Sequence, residues 1–112
     1  MALKLQVTSC HGFAVEHFKI INFSLDVITL TGMLTICVWK DKAAREAGMM
    51  PLGCFDVPIE ETGSTDSDGY KITIGYSEIS PHTEAQAEAV LKTYKMFHCE
   101  TELDFTQAVD DN

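Results

Sequence analysis

Alternation of apolar and polar residues is the feature that most limits what this chain can fold into. Between residues 18 and 27 the two kinds of side chain alternate at Ile21, Asn22, Phe23, Ser24, Leu25, Asp26 and Val27. Successive side chains of a β-strand point to opposite faces of a sheet, so this period indicates a strand with one buried face. The pattern predicts a β-rich protein built around this strand.

Other segments extend the predicted sheet. Residues 3–8 alternate in the same way, whereas residues 30–40 are apolar at nearly every position, which is typical of a strand covered on both faces. Residues 52–58 predict a weaker strand, and Pro58 places it at a sheet edge or at its own end. Residues 70–79 return to the strand pattern.

One segment, residues 80–97, has the period of an α-helix. Ser80 or Thr83 can cap its first turn, because a hydroxyl oxygen there accepts a hydrogen bond from a free backbone N–H. The apolar stripe consists of Ala87, Val90, Leu91, Tyr94 and Phe97. The pattern places Glu84, Glu88, Lys92 and Lys95 on the outer face, with Glu88 paired to Lys92. This helix is expected to pack on the sheet.

The remaining segments read as connections. Residues 41–48 predict either a short helical turn closed by Gly48 or an irregular excursion between strands. Residues 59–69 combine acids with Gly, Ser and Thr and predict an exposed acidic loop, in which the ligand spacing of a calcium loop is missing. Residues 106–112 are expected to fray. The fold class is therefore mainly β (α+β): a small antiparallel β-sandwich or partly closed barrel with one α-helix in the C-terminal half.

Length and charge limit the class of protein. The chain has 112 residues, enough for a single domain spanning 1–112. Residues 1–58 hold five acids and five bases, and residues 59–112 hold twelve acids and three bases, so the net charges of 0 and -9 sum to the chain's -9. Nucleic acid is disfavoured as a direct partner, because tracking phosphates requires clustered Lys and Arg.

Neither a signal peptide nor a membrane helix is indicated, since no stretch approaches the roughly 20 consecutive apolar residues that a spanning helix needs. We therefore expect synthesis in a reducing cytoplasm, no membrane partner, and cysteines that are thiols by default. Their pairing could change after release from the cell.

Two adjacent Cys–His pairs raise the question of a metal site. Cys10 and His11 lie near the start of the chain, and His98 and Cys99 lie near its end. Zinc sites usually take each ligand pair from positions two to four residues apart, and neighbours on a strand point to opposite faces. The adjacent spacing disfavours a metal site, and a catalytic pairing of Cys10 with His17 or His98 lacks a supporting motif.

The other candidates concern cross-links and contacts. Cys37 lies within an apolar strand and is expected in the core, while Cys10, Cys54 and Cys99 are candidates for a disulfide within or between subunits. Trp39 and Phe55 are candidate interface anchors. Phosphate loops, dinucleotide fingerprints and nucleophile elbows do not occur in the sequence, so neither an enzymatic activity nor a cofactor is predicted.

Several short segments carry a resemblance to a known group of proteins. They are residues 1–4 (MALK), the His11-Gly12 turn, the strands at 18–27 and 30–40 ending in VWKDKAA, and AQAEAVLKT at 85–93. In these segments the chain resembles small proteins encoded among the virion genes of tailed bacteriophages. It departs from them by an insertion at residues 60–80 and by a longer segment after the helix.

The resemblance implies a structural, non-catalytic virion component of the tail, baseplate or neck region. Such a protein would be assembled in the bacterial host cytoplasm and would bind copies of itself and other virion proteins. Two alternatives stay open: a small metal- or thiol-dependent module using the Cys/His loops, and a monomeric host-interaction or regulatory domain. In the virion component that the resemblance implies, the acidic segment 59–68 and the tail 100–112 would face solvent or a basic neighbour.

Overall fold

The computed structural model describes residues 2–8, 14–79, 83–98 and 101–111, with His98 described by its main chain alone. Its strands are β1 (Leu3–Thr8), β2 (Ala14–Asp26), β3 (Thr31–Trp39), β4 (Gly53–Glu60), β5 (Ser64–Thr65), β6 (Lys71–Gly75), β7 (Lys95–His98), β8 (Thr101–Asp104) and β9 (Val109–Asp110). The α-helices are α1 (Lys42–Glu46) and α2 (Glu84–Leu91), and single 3-10 turns lie at Tyr76–Glu78 and Phe105–Gln107.

The chain is mainly β, as the sequence predicts. Seven strands form one sheet in the order β5-β6-β4-β3-β2-β1-β9, which curls into a half barrel, and β7 and β8 form a second, two-stranded sheet. Neighbours in the large sheet are antiparallel except β4 and β6, which run parallel. The two outermost strands are only two residues long, and short edge strands limit unwanted pairing with other chains.

The predicted strands at 3–8, 18–27 and 30–40 correspond to β1, β2 and β3. β2 is longer than predicted because it begins at Ala14, where it pairs with the end of β1. A register shift between Ile20 and Asn22 interrupts β2. After this shift Phe23 and Leu25 still pack against the core, whereas Ile21 is 53% exposed. The shift therefore breaks the simple alternation that the sequence suggests.

The concave side of the half barrel holds the hydrophobic core. Side chains from the sheet, α2, β7, β8 and the last 3-10 turn meet there, with Phe18 and Phe105 in edge-to-face contact at 5.5 Å between ring centroids. Fully buried members include Leu3, Leu34, Ile36, Ile59, Ile74, Ile79, Leu91 and Phe105. The C-terminal segment thus closes the core that the N-terminal strands begin.

The helix α2 is shorter than the sequence pattern predicts. Thr83 caps it by accepting a hydrogen bond from the Gln86 N–H, and β7 begins at Lys95, within the predicted helix. Glu88 does not lie on the outer face, since its side chain is nearly buried, and Lys92 pairs with Asp110 at 3.3 Å instead. The prediction that Glu88 faces outward is therefore wrong, because α2 turns this face toward the sheet, and the ion pair of Lys92 is with Asp110.

The two segments predicted as loop and tail contain ordered structure. The 59–69 region is largely exposed, but it begins within β4 and contributes β5 to the sheet. Within the predicted tail, Ala108 is buried and β9 pairs with β1. The tail is attached by the burial of Ala108 and by the pairing of β9 with β1, whereas the Val109 side chain is exposed.

Candidate interaction sites

The hairpin between β2 and β3 ends in an apolar tip, which we define as residues 27–30. Val27 is 70% exposed and Ile28 is 89% exposed. Leu30 has a backbone φ of 58°, in the left-handed region that non-glycine residues seldom adopt. The sequence alternation predicts that Val27 lies on the buried face, but the strand ends at Asp26 and the turn carries Val27 beyond the core.

Hydrogen bonds within the turn fix the shape of the tip. The Asp26 carboxylate accepts from the N–H groups of Ile28 at 2.9 Å and Thr29 at 3.2 Å. These bonds stabilise the charged form, so they lower the pKa of Asp26 below its ordinary value. Because the turn satisfies its own polar groups, the tip can present apolar side chains without a mobile backbone.

A glycine at the base of the tip holds the two strands close together. A Cβ atom at Gly32 would overlap the Ser24 carbonyl oxygen and lie 2.8 Å from Leu25 Cδ2. Side chains larger than hydrogen are therefore excluded there. The hairpin is consequently a narrow, well-defined projection from the sheet.

A polar cluster lies on the outer face of the sheet, away from the core. His17 is completely buried, its Nδ1 lies 2.7 Å from Asp111 Oδ2, and its Nε2 accepts a hydrogen bond from Arg45 Nε at 2.7 Å. Acceptance at Nε2 places the proton of the neutral ring on Nδ1, which donates to Asp111. The Trp39 ring packs against the imidazole at 5.9 Å between centroids.

This cluster is unsuited to acid–base chemistry on a substrate. A general base needs a ring nitrogen within reach of a substrate proton, and both nitrogens of His17 have intramolecular partners. Trp39 is also bonded within the chain, since its Nε1 donates to the Met49 carbonyl oxygen at 3.0 Å and its side chain is 8% exposed. The cluster therefore joins β2, α1 and the C-terminal segment.

The described cysteines form a cross-strand pair. Cys37 is buried, as predicted, and it is disulfide-bonded to Cys54, which lies directly opposite it in the β3–β4 register. The sequence predicts Cys54 as a disulfide candidate and Cys37 as a core residue. Sequence alone could not join them, because their register depends on the 13 residues between β3 and β4.

The other candidate residues fall in different places. Cys10, His11 and Cys99 and the side chain of His98 lie outside the described residues, so the predicted Cys/His set has no described geometry. A cleft of about 430 Å³ is bordered by Thr8 and Ala14, the residues on either side of 9–13. Phe55 is half-buried and lines a separate cleft beside β4.

Within the described residues, no group of three or more His, Cys, Asp or Glu side chains could hold a metal ion. None of the helices in this part of the chain is long and apolar enough to cross a membrane.

Comparison with known proteins leaves the chain without a match: no family model, curated protein or solved structure is significantly similar to it.

Proposed function

We propose that this protein is a structural, non-catalytic component of a bacteriophage virion, associated with the tail, and that it acts by packing against copies of itself and other virion proteins. The observation that carries the assembly part of the proposal is the apolar tip. Its Val27 and Ile28 side chains are 70% and 89% exposed on a hydrogen-bonded turn. The virion assignment rests on the sequence resemblance at residues 1–4, 11–12, 18–27, 30–40 and 85–93.

Exposed apolar side chains on a fixed projection favour association for two reasons. Burying a side chain of this size removes apolar surface from water and contributes roughly 1.5–3 kcal/mol. Because the turn is already held by Asp26, little conformational entropy is lost when the tip docks. A single exposed aliphatic residue is ordinary, but neighbouring ones at the end of a hairpin form a compact anchor.

The negative charge of the chain limits which contacts between copies are favourable. Copies with a net charge of -9 repel one another, so contacts between them must be apolar or must pair acids with bases. In the tip, residues 27–30 carry no charge. In a ring or tube each copy would be held at several points, so modest affinity at each contact suffices.

Two measurements test the proposal. Sedimentation of the purified chain over a wide concentration range should detect oligomers, and mass spectrometry of purified phage particles should detect many copies of the chain in each particle. A chain that stays monomeric at high concentration and is absent from particles would instead support a host-interaction or regulatory domain. Stoichiometric metal in untagged protein would support the Cys/His module.

A further inference from the structure

The large sheet splits open between β4 and β6. These parallel strands pair only at Ile59 with Ile74 and at Glu60 with Gly75, and the earlier residues of β4 and β6 do not pair with each other. A cleft of about 160 Å³ lies in this split and is lined by residues of both strands and of β7. Among the described strands, only β3 therefore pairs with residues 53–57 of β4.

Backbone groups of β4 point into the split. In an antiparallel ladder, residues alternate between those that bond to the neighbouring strand and those whose N–H and C=O point away from it. Pro58 has no N–H, so it forms a pair with Met33 that is not hydrogen-bonded, and its backbone groups point away from β3. Asp56 and Cys54 lie two and four residues earlier, so their N–H and C=O groups also point away from β3. Residues 53–57 thus offer two donors and two acceptors on their open side.

The walls of the split are apolar and partly exposed. Ile72 is 53% exposed and Phe97 is 55% exposed, while Met96 forms a buried floor. Ile72 and Ile74 share one face of β6, yet Ile74 is fully buried. They differ because Ile74 lies where β4 pairs with β6, and Ile72 lies where the strands have separated.

The rim of the split is acidic. Asp56 and Asp66 line the cleft, and Glu102 accepts a hydrogen bond from the Tyr70 hydroxyl at 2.8 Å. This bond, with the negative charges of Glu102, Asp68 and Asp66, raises the pKa of Tyr70 above its ordinary value.

Two lysines lie at the split: Lys71 lines the cleft, and Lys95 contacts Tyr70, another lining residue. Lys71 Nζ lies 3.3 Å from a Glu78 carboxylate oxygen and 4.4 Å from the Tyr94 ring centroid. Lys95 Nζ lies 4.9 Å from the centroid of the Tyr70 ring. The carboxylates of Asp56 and Asp66, by contrast, accept only neutral hydroxyl or backbone N–H donors among the described contacts. The rim therefore favours a positively charged occupant.

We propose that the split between β4 and β6 binds an extended, basic segment of a partner protein, which adds a strand to residues 53–57 of β4. The backbone of β4 would supply hydrogen bonds, the Ile72 and Phe97 walls would contact alternate apolar side chains, and the Asp56 and Asp66 rim would pair with Lys or Arg. Five residues of such a strand span roughly 17 Å.

This surface is separate from the apolar tip and does not depend on the proposed self-assembly. A variant with Val27→Ser and Ile28→Ser should therefore bind such a segment as well as the natural chain does. Loss of oligomers with retained peptide binding would support the assembly role of the tip, and oligomers that persist with retained peptide binding would count against that role alone.

Amide hydrogen exchange of the free protein tests whether the strand is open. The N–H groups of Cys54 and Asp56 should exchange about tenfold or more faster than those of Phe55 and Val57, which bond to β3. Equal protection at all four positions would mean that the edge is covered and would overturn the proposal.

Peptide selection tests the occupant. A displayed random library of short linear peptides is selected on the full chain, and the enriched sequences should contain Lys or Arg with apolar residues at alternate positions. Asp56→Asn keeps the backbone N–H but removes the charge, so it should weaken binding severalfold and reduce its salt dependence. Asp56→Pro removes an outward N–H that β3 does not use, and it should weaken binding about tenfold.

N-methylation of the selected peptide gives a test that leaves the protein unchanged. Methyl groups on the peptide nitrogens that face β4, which are every second one, should abolish binding, whereas methyl groups on the remaining nitrogens should have little effect. Binding should also slow amide exchange at Cys54 and Asp56. A library without enrichment, enriched peptides that lack basic residues, or insensitivity to both methylated sets would overturn the proposal.

Discussion

The imidazole of His17 and the carboxylate of Asp111 meet at 2.7 Å although the two residues are 94 positions apart. This contact attaches the end of the chain to β2 on the outer face of the sheet. A backbone bond from the Asp111 N–H to the Ala2 carbonyl oxygen at 2.9 Å adds to it. The C-terminal segment is therefore held on the sheet by β9 pairing, by Asp111 and by the burial of Phe105.

Replacing Asp111 should loosen this closure. In Asp111→Ala the buried His17 Nδ1–H loses its acceptor, which costs about 1–3 kcal/mol of unfolding free energy. Chemical denaturation measures this loss. Asp110→Ala is the matched control, because Asp110 precedes Asp111 directly and its side chain makes an exposed ion pair with Lys92. Its loss should be below about 1 kcal/mol. Equal losses in the two variants would contradict the structural role of the buried contact.

The disulfide between Cys37 and Cys54 should contribute to stability once it has formed. It closes a loop with a sequence separation of 17, and restricting the unfolded chain to such a loop is worth about 3 kcal/mol. Cys54→Ser should lower the unfolding free energy by about that amount under oxidising conditions. With reductant present, the variant and the natural chain should differ little. An equal effect of the substitution in both conditions would show that the bond does not form.

Glu88 should make stability depend on pH. Burial disfavours its carboxylate and raises the pKa of Glu88 in the folded protein above the ordinary value. The folded state therefore holds this proton more tightly than the unfolded state, and the cost of the charge is present at neutral pH. The cost disappears as the pH falls through the raised pKa.

Glu88→Gln should accordingly raise the thermal midpoint at neutral pH, and the gain should vanish in acid. Glu84→Gln on the same helix is the control, because Glu84 is exposed and should give no such gain. A neutral-pH midpoint that falls in Glu88→Gln would mean that the carboxylate is stabilised where it lies.

The Asp26 carboxyl group should stabilise the turn of the tip only when it is ionised. Its folded-state pKa is lowered by the N–H groups of Ile28 and Thr29, so its contribution is present above the ordinary pKa and is lost as the pH falls through the lowered value. We expect the NMR shifts of the Ile28 and Thr29 amides to titrate together with the Asp26 carboxyl. In Asp26→Ala both amides should exchange faster, while amides of β6 stay unchanged. Protection that survives in Asp26→Ala would refute this role.

The sequence predicts the β-rich class and the strands β1 to β3 because those strands bury alternating or continuous apolar residues, and such burial leaves a local pattern. It does not predict the ends of α2, because Tyr94 and Phe97 fit the helical period although β7 begins at Lys95. In this segment the pairing of β7 with β8 outweighs the local helix propensity, and the residues of β8 come later in the chain.

The candidate sites divide in the same way. The alternation along β2 nearly predicts where the following turn begins, and this turn exposes Ile28. The contact of His17 with Asp111 and Arg45 leaves no local signal, since it joins three distant segments. The opening between β4 and β6 is equally invisible, because it depends on where two parallel strands diverge.

The most direct test of the assembly role compares two pairs of exposed apolar residues by sedimentation. Val27→Ser with Ile28→Ser removes the tip, and Met49→Ser with Met50→Ser removes side chains that are 62% and 83% exposed in the segment after α1. We predict that the natural chain and the methionine variant form the same oligomers, and that the tip variant sediments as a folded monomer. Oligomers that persist unchanged in the tip variant would contradict the account.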